Sequence, residues 1–348
     1  MYKLIKKIEN RNLLFISSDS IYLLDTSSYI APKLINADFD FEEIFTLKLE
    51  KYPQFSFHKK IYFAGSFSSK KFSIYEINTN KKLKSYNQAL LTSNGFPYES
   101  DSNIFFLKEN RVNVISVNNW QNREYSIEKS LFYQLSHPNY HLFVNNEDRS
   151  SLFVYDNKFE KLIWQKDFSD ISAYNDPFND EPNKGRIHNV QLYQKDKIIL
   201  TTRHNSTFCF DIHTGKEIWR TWTFGGAIEI VGNIGYVCTG GSLYKLNLDT
   251  GEALMKSIYH DNHLPDIKYN GETYRAHGHN VVHHEGLLWY AVYSSGHSFI
   301  LAINPHDGHY EWVHHVETNE KVMDIYFYKD KMFLQDSGST LHIYEKEV

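Results

Sequence analysis

Short runs of alternating apolar and polar residues recur along the whole chain, and polar turns separate them. The clearest are FCFDIHTGKEIW (208–219), LYKLNLDTGEALM (243–255) and ILAINPHDGHYEW (300–312). Alternation with a period of two is typical of a strand with one buried face, so each run predicts a hairpin of two strands. No stretch has the 3.6-residue period of a long amphipathic helix, and we therefore expect an all-β chain.

Each of these runs carries an Asp or Asn four residues before a glycine. The pairs are Asp211 with Gly215, Asn247 with Gly251, and Asn304 with Gly308. The Asp or Asn side chain is expected to accept hydrogen bonds from its own turn, and the glycine supplies a positive φ. Trp164, Trp219 and Trp312 recur four residues after the glycine position, where we expect them to pack between neighbouring sheets.

Weaker copies extend this repeat to eight. The eight marker residues are Asp25, Glu76, Asn118, Asp156, Asp211, Asn247, Asn304 and Glu345. Asn80 and Asn122 replace the turn glycine with a residue that tolerates a left-handed conformation, whereas Glu160 departs from the pattern. The spacing averages about 46 residues, and a four-stranded blade needs about 40–50, so the repeat predicts a β-propeller.

We therefore predict one domain over residues 1–348, a single β-propeller of eight four-stranded blades, with seven blades as the alternative. The last repeat lacks one strand. The N-terminal YKLIKKI (2–8) is expected to fill that place and close the ring, because an open sheet edge would otherwise remain.

The turns DIHTGKEIW and NLDTGEALM resemble the repeat of the quinoprotein-type, or PQQ-like, β-propeller family. The resemblance implies a propeller, a fold that hosts many functions. The quinone enzymes of that family use adjacent cysteines, calcium-binding carboxylates and an export signal. Cys209 and Cys238 are not adjacent and no such signal is visible, so we expect no quinone or other cofactor.

Composition fits an aromatic-rich β protein and excludes several partner classes. The 348 residues include 25 Tyr, 24 Phe and 6 Trp, which favour strands. There are 37 Lys and Arg against 42 Asp and Glu, a net charge of −5, which argues against nucleic acid and against a polybasic membrane anchor. No stretch has the length of a signal or membrane-spanning segment, so a cytoplasmic location with free thiols is expected.

Three connections between repeats are longer than the others: 30–53, 167–187 and 257–278. In a propeller all three emerge on one face, where loops on a rigid scaffold often bind partners. For 30–53 we expect a solvated loop, or a further edge strand that contains the residues DFEEIF. Segments 167–187 and 257–278 are the candidates for binding a protein, and an acidic, aromatic rim suits a basic one. The alternative for 167–187 is a solvated loop. The candidate contact residues are Asp170, Tyr174, Asp176, Phe178, Asp180, Glu181, Tyr269 and Tyr274.

Most of the 18 histidines lie between residues 260 and 315. His188, His277 and His279 stand at the entry of two repeats, where imidazoles could bind a metal. We favour a structural role instead, because a repeated histidine at a blade entry is similar to the bracing histidine of WD-type propellers. No nucleophile elbow and no phosphate-binding glycine loop before a helix accompany them.

These features predict a non-catalytic protein-binding propeller. The composition, rich in Lys, Asn, Ile and Tyr, suggests an AT-rich bacterial genome. A single-domain propeller of this kind resembles an immunity or antitoxin-type protein that binds a bacterial toxin through the loop-rich rim. One alternative is a metal-dependent enzyme that uses the histidines at the propeller face. The other is a scaffold in a larger assembly, which would need two binding faces.

Overall fold

Every element of regular structure in the described residues is a β-strand, as predicted. The computed structural model describes residues 1–28, 32–49, 53–58, 61–66, 71–77, 79–86, 98–100, 103–108, 111–116, 121–126, 131–145, 147–171, 184–203, 206–222, 226–239, 241–254 and 263–347. These residues include no helix with the length and hydrophobicity that a membrane crossing requires.

The strands follow one another along the chain through short turns. The first half comprises β1 (Tyr2–Ile8), β2 (Arg11–Ile16), β3 (Ile21–Asp25), β4 (Lys33–Ala37), β5 (Glu43–Lys48), β6 (Pro53–His58), β7 (Ile61–Ser66), β8 (Lys71–Glu76), β9 (Lys82–Tyr86), β10 (Tyr98–Ser100), β11 (Asn103–Lys108), β12 (Arg111–Ser116), β13 (Asn122–Ser126), β14 (Leu131–His137), β15 (Tyr140–Asn145), β16 (Ser151–Asp156) and β17 (Leu162–Asp167). The second half comprises β18 (Ile187–Tyr193), β19 (Lys197–Thr202), β20 (Thr207–Asp211), β21 (Glu217–Thr221), β22 (Glu229–Val231), β23 (Ile234–Thr239), β24 (Ser242–Asn247), β25 (Ile267–Tyr269), β26 (Glu272–Tyr274), β27 (Gly278–His284), β28 (Leu287–Ser294), β29 (His297–Ile303), β30 (Tyr310–Val316), β31 (Val322–Tyr328), β32 (Lys331–Asp336) and β33 (Leu341–Lys346).

Consecutive strands pair into sheets that correspond to the sequence repeats. In chain order they are the first sheet (β2–β5), the second (β6–β9), the third (β10–β13), the fourth (β14–β17), the fifth (β18–β21), the sixth (β22–β24), the seventh (β27–β30) and the last (β31–β33 with β1). Strands β25 and β26 form a separate hairpin between the sixth and seventh sheets.

Within the described ranges the four-stranded sheets number seven, which matches the alternative count, and the prediction of eight four-stranded blades is wrong by one. The sixth sheet has three strands. Its outer segment meets β24 only at an isolated bridge between Leu246 and Ala253, and the Leu254 N–H donates to the Lys245 carbonyl at 2.8 Å. The described part of this repeat, up to residue 254, therefore pairs with β24 only at this bridge.

The chain divides into two compact units. The large unit comprises Met1–Ile5, Gln134–Gly338 and Ile343–Val348, and the small unit comprises Lys6–Tyr133 and Ser339–His342. The small unit holds the first, second and third sheets. The fifth, sixth and seventh sheets and the β25–β26 hairpin lie in the large unit.

The N-terminal strand β1 supplies the outer strand of the last sheet, next to β33, and this prediction is confirmed. Its first aromatic residue holds it there. Tyr2 is 5% exposed, and its ring lies edge-on to Trp289 at 5.4 Å and tilted against Phe327 at 5.9 Å. Pairing with β33 removes an edge that would otherwise be open to another chain.

Three marker residues, Asp211, Asn247 and Asn304, cap their own turns, as the sequence predicts, whereas Asn118 lies outside the described residues. Asp211 Oδ1 accepts hydrogen bonds from the Thr214 N–H at 2.8 Å and from Thr214 Oγ1 at 2.7 Å. The hydrogen bond from Thr214 lowers the pKa of Asp211. Gly215, which ends the turn, has a φ of +68°. Asn247 and Asn304 accept equivalent hydrogen bonds from Asp249 and His306 at 2.9 Å.

The recurring tryptophans join neighbouring sheets, which confirms the prediction for Trp164 and Trp219. Trp164 on β17 donates its indole N–H to the Ile212 carbonyl of the fifth sheet at 2.8 Å. Trp219 on β21 donates to the Leu248 carbonyl of the sixth sheet at 3.0 Å. Trp312 on β30 packs against Tyr2 of the last sheet, with ring centroids 6.5 Å apart.

Several turn predictions differ in detail from the structure. Asn80 has the expected positive φ of 53°, but in the fourth sheet Phe159, not Glu160, is left-handed, with a φ of 59°. Asn122 is already the first residue of β13, so its predicted turn role is wrong. Asp25 ends the second strand of its sheet, whereas Asp211 ends the third, because the first sheet begins at β2 and gains β5 from the 30–53 segment. The further edge strand expected there is thus confirmed.

The hydrophobic core lies between neighbouring sheets. Tyr236, Cys238 and Leu243 of the sixth sheet pack with Tyr290 and Phe299 of the seventh in one buried cluster. Both cysteines are free and buried, as predicted. Burial raises the pKa of the Cys209 thiol to about 11, so this thiol is protonated and unreactive at neutral pH.

Candidate functional site

The connection before the seventh sheet contains the β25–β26 hairpin. Its strands pair antiparallel, with Ile267 opposite Tyr274 and Tyr269 opposite Glu272. The intervening Asn270 and Gly271 have φ values of 50° and 82°. Two consecutive left-handed residues are what a type I′ turn requires, and Asn-Gly is its preferred sequence. The segment predicted as a recognition loop is therefore a regular hairpin.

One face of the hairpin is buried against the seventh sheet. Ile267 is 2% exposed and Tyr274 5%. The Tyr274 ring lies 5.2 Å from both His297 and Phe299, and its hydroxyl donates to Glu272 Oε2 at 2.8 Å. The hydrogen bond to Glu272 raises the pKa of Tyr274. Tyr274 therefore fixes the hairpin in place.

Tyr269 provides the second anchor of the hairpin. Its ring stacks on His315 with centroids 4.4 Å apart and an interplanar angle of 18°. His315 Nε2 in turn lies 3.0 Å from His297 Nδ1, so one imidazole donates a hydrogen bond to the other. Burial, aided by the neighbouring His297, lowers the pKa of His315. Tyr269 and Tyr274, predicted as partner contacts, thus both pack on the seventh sheet, and Tyr269 remains half-exposed.

The N-terminal flank of the hairpin is fixed as well. Tyr310 donates its hydroxyl to the Pro265 carbonyl at 2.6 Å. The Leu264 N–H donates to the Gly241 carbonyl at 2.7 Å, which ties the flank to the β23–β24 turn of the sixth sheet. A segment held at this flank and along one face loses little further entropy when a partner binds to it.

The other face of the hairpin is exposed and polar. Because side chains alternate along a strand, Lys268 and Thr273 point away from the buried Ile267 and Tyr274. Both are exposed, and so are the flanking Asp266 and Arg275. We call Asp266, Lys268, Thr273 and Arg275 the outer face of the hairpin.

A cavity of about 310 Å³ opens at the base of this hairpin. It is lined by Gly241, His263, Leu264, Asp266, Arg275, Ala276 and His277. Leu264 and Ala276 are buried and give it an apolar wall, whereas its charged and imidazole groups are exposed. Its volume is at the lower end of the range for small-ligand sites, roughly 300–1,000 Å³.

The backbone beside the cavity permits only glycine at residue 278. A Cβ there would lie 2.1 Å from the Ala291 carbonyl oxygen. The Gly278 N–H donates to the Tyr290 hydroxyl at 2.8 Å, and the Tyr293 N–H donates to the His277 carbonyl at 3.2 Å. These contacts fix the backbone of His277 at the cavity wall.

The three histidines considered as alternative metal ligands lie in or next to two different sheets. His188 is exposed on β18 of the fifth sheet, and His277 lines the cavity just before β27. His279 lies in β27, and its side chain is outside the described residues. Among the residues that the structure describes, no group of three or more His, Cys, Asp or Glu side chains has the geometry to hold a metal ion.

The acidic insertion is described only at its two ends. Phe168 is fully buried, the Gly185 N–H donates to the Ser169 carbonyl at 2.8 Å, and Asp170 is exposed. The other candidate contacts there lie outside the described residues, and these are Tyr174, Asp176, Phe178, Asp180 and Glu181. Sequence reasoning missed Asp266, Lys268 and Arg275, although the Asn270-Gly271 pair between alternating residues is a strong hairpin signal.

No protein-family model matches the chain, and no curated protein matches it. Solved structures do. The crystal structure of BamB from Moraxella catarrhalis has a TM-score of 0.67 at 9% identity and covers 99% of this chain and 100% of its own. The fold is a β-propeller. The computationally designed Ika8 protein is similar too, with a TM-score of 0.64, 11% identity, and coverage of 97% of this chain and 96% of its own.

In propeller terms, the hairpin and its cavity lie at one end of the blade strands. The β23–β24 turn and the connections between successive blades emerge at this end, whereas the turn of Asp211 emerges at the other. The β25–β26 hairpin is thus an addition at the end where the connections between blades emerge, as predicted for 257–278. The 30–53 segment instead supplies β4 and β5 of the first sheet, so its predicted position between two blades is wrong.

Proposed function

We propose that this propeller is a non-catalytic binding protein that holds a protein partner on the outer face of the β25–β26 hairpin. One observation carries the proposal. The hairpin is anchored by buried Ile267 and Tyr274 on one side and exposes Lys268 and Thr273 on the other. Such a pre-organised polar surface on a rigid sheet scaffold is typical of recognition elements.

The chemistry of the outer face supports a protein as the partner. Lys268 and Arg275 donate hydrogen bonds, Asp266 accepts them, and Thr273 does both. Protein interfaces carry roughly one hydrogen bond per 100–200 Å², and polar groups of both signs set the register of the partner. A propeller needs no catalytic group to present this surface.

The sequence suggests a bacterial toxin as the partner, and we keep this class. We propose a toxin of related bacteria, which this chain would neutralise in the cytoplasm as an immunity protein. A basic toxin would also contact the acidic insertion that begins at Asp170. Co-expression with the captured partner tests this finer proposal: protection of the host cell supports it, and unchanged growth with a bound partner contradicts it.

Affinity capture from a lysate of the source organism tests the binding function. The probe is the full chain, and the test variant is Lys268→Glu with Thr273→Arg. We expect a single stoichiometric partner with the natural chain and at least a tenfold loss with the variant, because charge reversal at an interface costs several kcal/mol.

Lys216→Glu is the matched control for this capture. Lys216 is exposed in the β20–β21 turn at the opposite end of the strands. Equal recovery of the partner by all three proteins would refute binding at the hairpin. Elemental analysis of the same preparations tests the proposal that no metal is resident, and stoichiometric metal without a protein partner would favour the histidine-dependent enzyme.

A further inference from the structure

We propose that the cavity beside the hairpin binds the free carboxyl terminus of a peptide chain, with Arg275 holding the carboxylate and Asp266 accepting the last peptide N–H. This inference rests on the proposed function, because it names the part of the protein partner that enters the site. The observation behind it is that these two opposite charges line the same cavity and, among the described residues, form no ion pair.

The hairpin register brings Asp266 and Arg275 together. Since Ile267 lies opposite Tyr274, the next positions outward are Asp266 and Arg275. Side chains at opposed positions have Cβ atoms about 4.5–5.5 Å apart, close enough for an ion pair. In the described part of the chain, however, neither residue forms an ion pair, and both line the cavity. Both charges are therefore presented to a ligand.

The chemistry of this pair of charges suits a chain terminus. In a C-terminal residue the carboxylate and the peptide N–H are joined through a single Cα. A guanidinium presents its donors as a planar fork that matches a carboxylate, and a carboxylate accepts an N–H donor. Neighbouring Arg and Asp side chains can thus bind both groups of one terminal residue.

The histidines complete the donor set. His263 Nδ1 lies 3.1 Å from Ser242 Oγ, so this nitrogen is already hydrogen-bonded and Nε2 is left for a ligand. His277 lines another wall of the cavity. Either imidazole can donate to a remaining lone pair of the carboxylate that Arg275 holds.

The remaining lining argues against other anions. Leu264 is 7% exposed and Ala276 3%, so together they form an apolar wall for the side chain of the terminal residue. The negative charge of Asp266 would repel the charges of a phosphate or a sulfate. A free amino acid carries the same pair of groups as a chain terminus, and the experiment must separate these two sources.

The test is affinity selection on the full chain with N-acetylated pentapeptide libraries, one with free carboxyl termini and one amidated. The selected peptide is then titrated in both forms. We expect selection from the free library only, and amidation should weaken binding by about tenfold or more, the usual effect of losing a charged hydrogen-bonded pair.

Two variants connect this effect to the site. Arg275→Gln should weaken binding of the peptide with a free carboxyl terminus by about tenfold or more and leave binding of the amidated peptide unchanged. Arg123→Gln, an exposed arginine on β13, should leave both unchanged. The inference is overturned if no peptide is selected, if amidation has no effect, or if Arg275→Gln binds the peptide normally. It is also overturned if a free amino acid binds as tightly as the selected peptide.

This outcome is separable from that of the proposed function. If Lys268→Glu with Thr273→Arg abolishes capture of the partner while no peptide is selected, the carboxylate site is wrong and the binding face stands. If peptides bind through Arg275 but the hairpin variant captures the partner normally, the binding face is wrong and the cavity assignment stands.

Discussion

At the residue scale, one contact connects successive sheets of the large unit. Trp164 and Trp219 reach from the outer strand of one sheet to a carbonyl in the turn of the next. The turn glycine lies under each indole. A Cβ on Gly215 would approach Trp164 Cδ2 to 2.6 Å, and one on Gly251 would approach Trp219 Cδ2 to 2.7 Å. The glycine and tryptophan of the repeat therefore act across sheets.

Replacing Gly251 with alanine should reveal this contact. The new Cβ would clash with Trp219 and hold a φ of +77°, so we expect a loss of about 2–4 kcal/mol in unfolding free energy. Gly271→Ala is the matched control, because its φ is +82° and nothing lies within 4 Å of its Cβ position. Denaturant titration should give about 1 kcal/mol for the control. Equal losses would contradict the packing role.

His141 should make stability depend on pH. It is 2% exposed, it stacks on Phe159 at 4.3 Å, and burial lowers its pKa to about 4. The unfolded chain, with a histidine pKa of about 6.5, binds the proton more tightly. The stabilisation is therefore complete above about pH 6.5 and is lost as pH falls towards 4.

We expect the unfolding free energy to fall by about 2 kcal/mol from pH 7 to pH 4.5 on account of this residue. Denaturant titrations of the natural chain and of His141→Gln at both pH values measure the effect. The variant should lose this part of the pH dependence, and His306→Gln, in an exposed turn, is the control. An unchanged pH dependence in His141→Gln would refute the account.

At the scale of elements, local patterns explain most of what was predictable. Alternation and turn residues indicate strands directly, because both act within a few residues. The place of β1 in the last sheet was predictable from the count of strands per repeat, because the last repeat is one strand short and β1 precedes the first repeat. Among the described residues, the isolated Leu246–Ala253 bridge of the sixth sheet was not predictable, because it depends on pairing that the repeat motif does not encode.

The hairpin should detach locally when its anchor is removed. His315→Ala deletes the ring under Tyr269 and the partner of His297. Stacking and one hydrogen bond are worth about 1–2 kcal/mol, so amide exchange in Ile267–Tyr274 should rise about tenfold. Exchange in β31 and β32 should not change. Mass-spectrometric exchange measures both, and a uniform rise across the unit would contradict a local anchor.

Tyr2 should contribute strongly to stability although it is the second residue of the chain. Tyr2→Ala removes a buried ring from contacts with Trp289, Trp312 and Phe327, for an expected loss of about 3–5 kcal/mol. Tyr2→Phe keeps the ring and should restore stability. Ile5→Ala, at a residue 44% exposed, should cost less than about 0.5 kcal/mol. If thermal unfolding shows the same small loss of stability in Tyr2→Ala as in Ile5→Ala, a structural role for β1 is excluded.

At the scale of the whole molecule, the sequence predicts the repeat better than the site. The propeller follows from a motif that recurs eight times, and each copy reports on the same local hairpin. The cavity is built from three separated parts, the Gly241 turn, His263–Asp266 and Arg275–His277. Their meeting depends on the docking of the β25–β26 hairpin, which no single motif describes. The predicted Tyr269 and Tyr274 lie in this hairpin because they anchor it to the seventh sheet.

The most direct test of the central claim is site-specific photo-crosslinking in cells of the source organism. A photoreactive amino acid replaces Thr273 on the outer face in one protein and Lys216 at the opposite end of the strands in another. The account predicts one discrete protein adduct from position 273 and none from position 216. Adducts from position 216 alone, or from neither position, would contradict a partner-binding face at the β25–β26 hairpin.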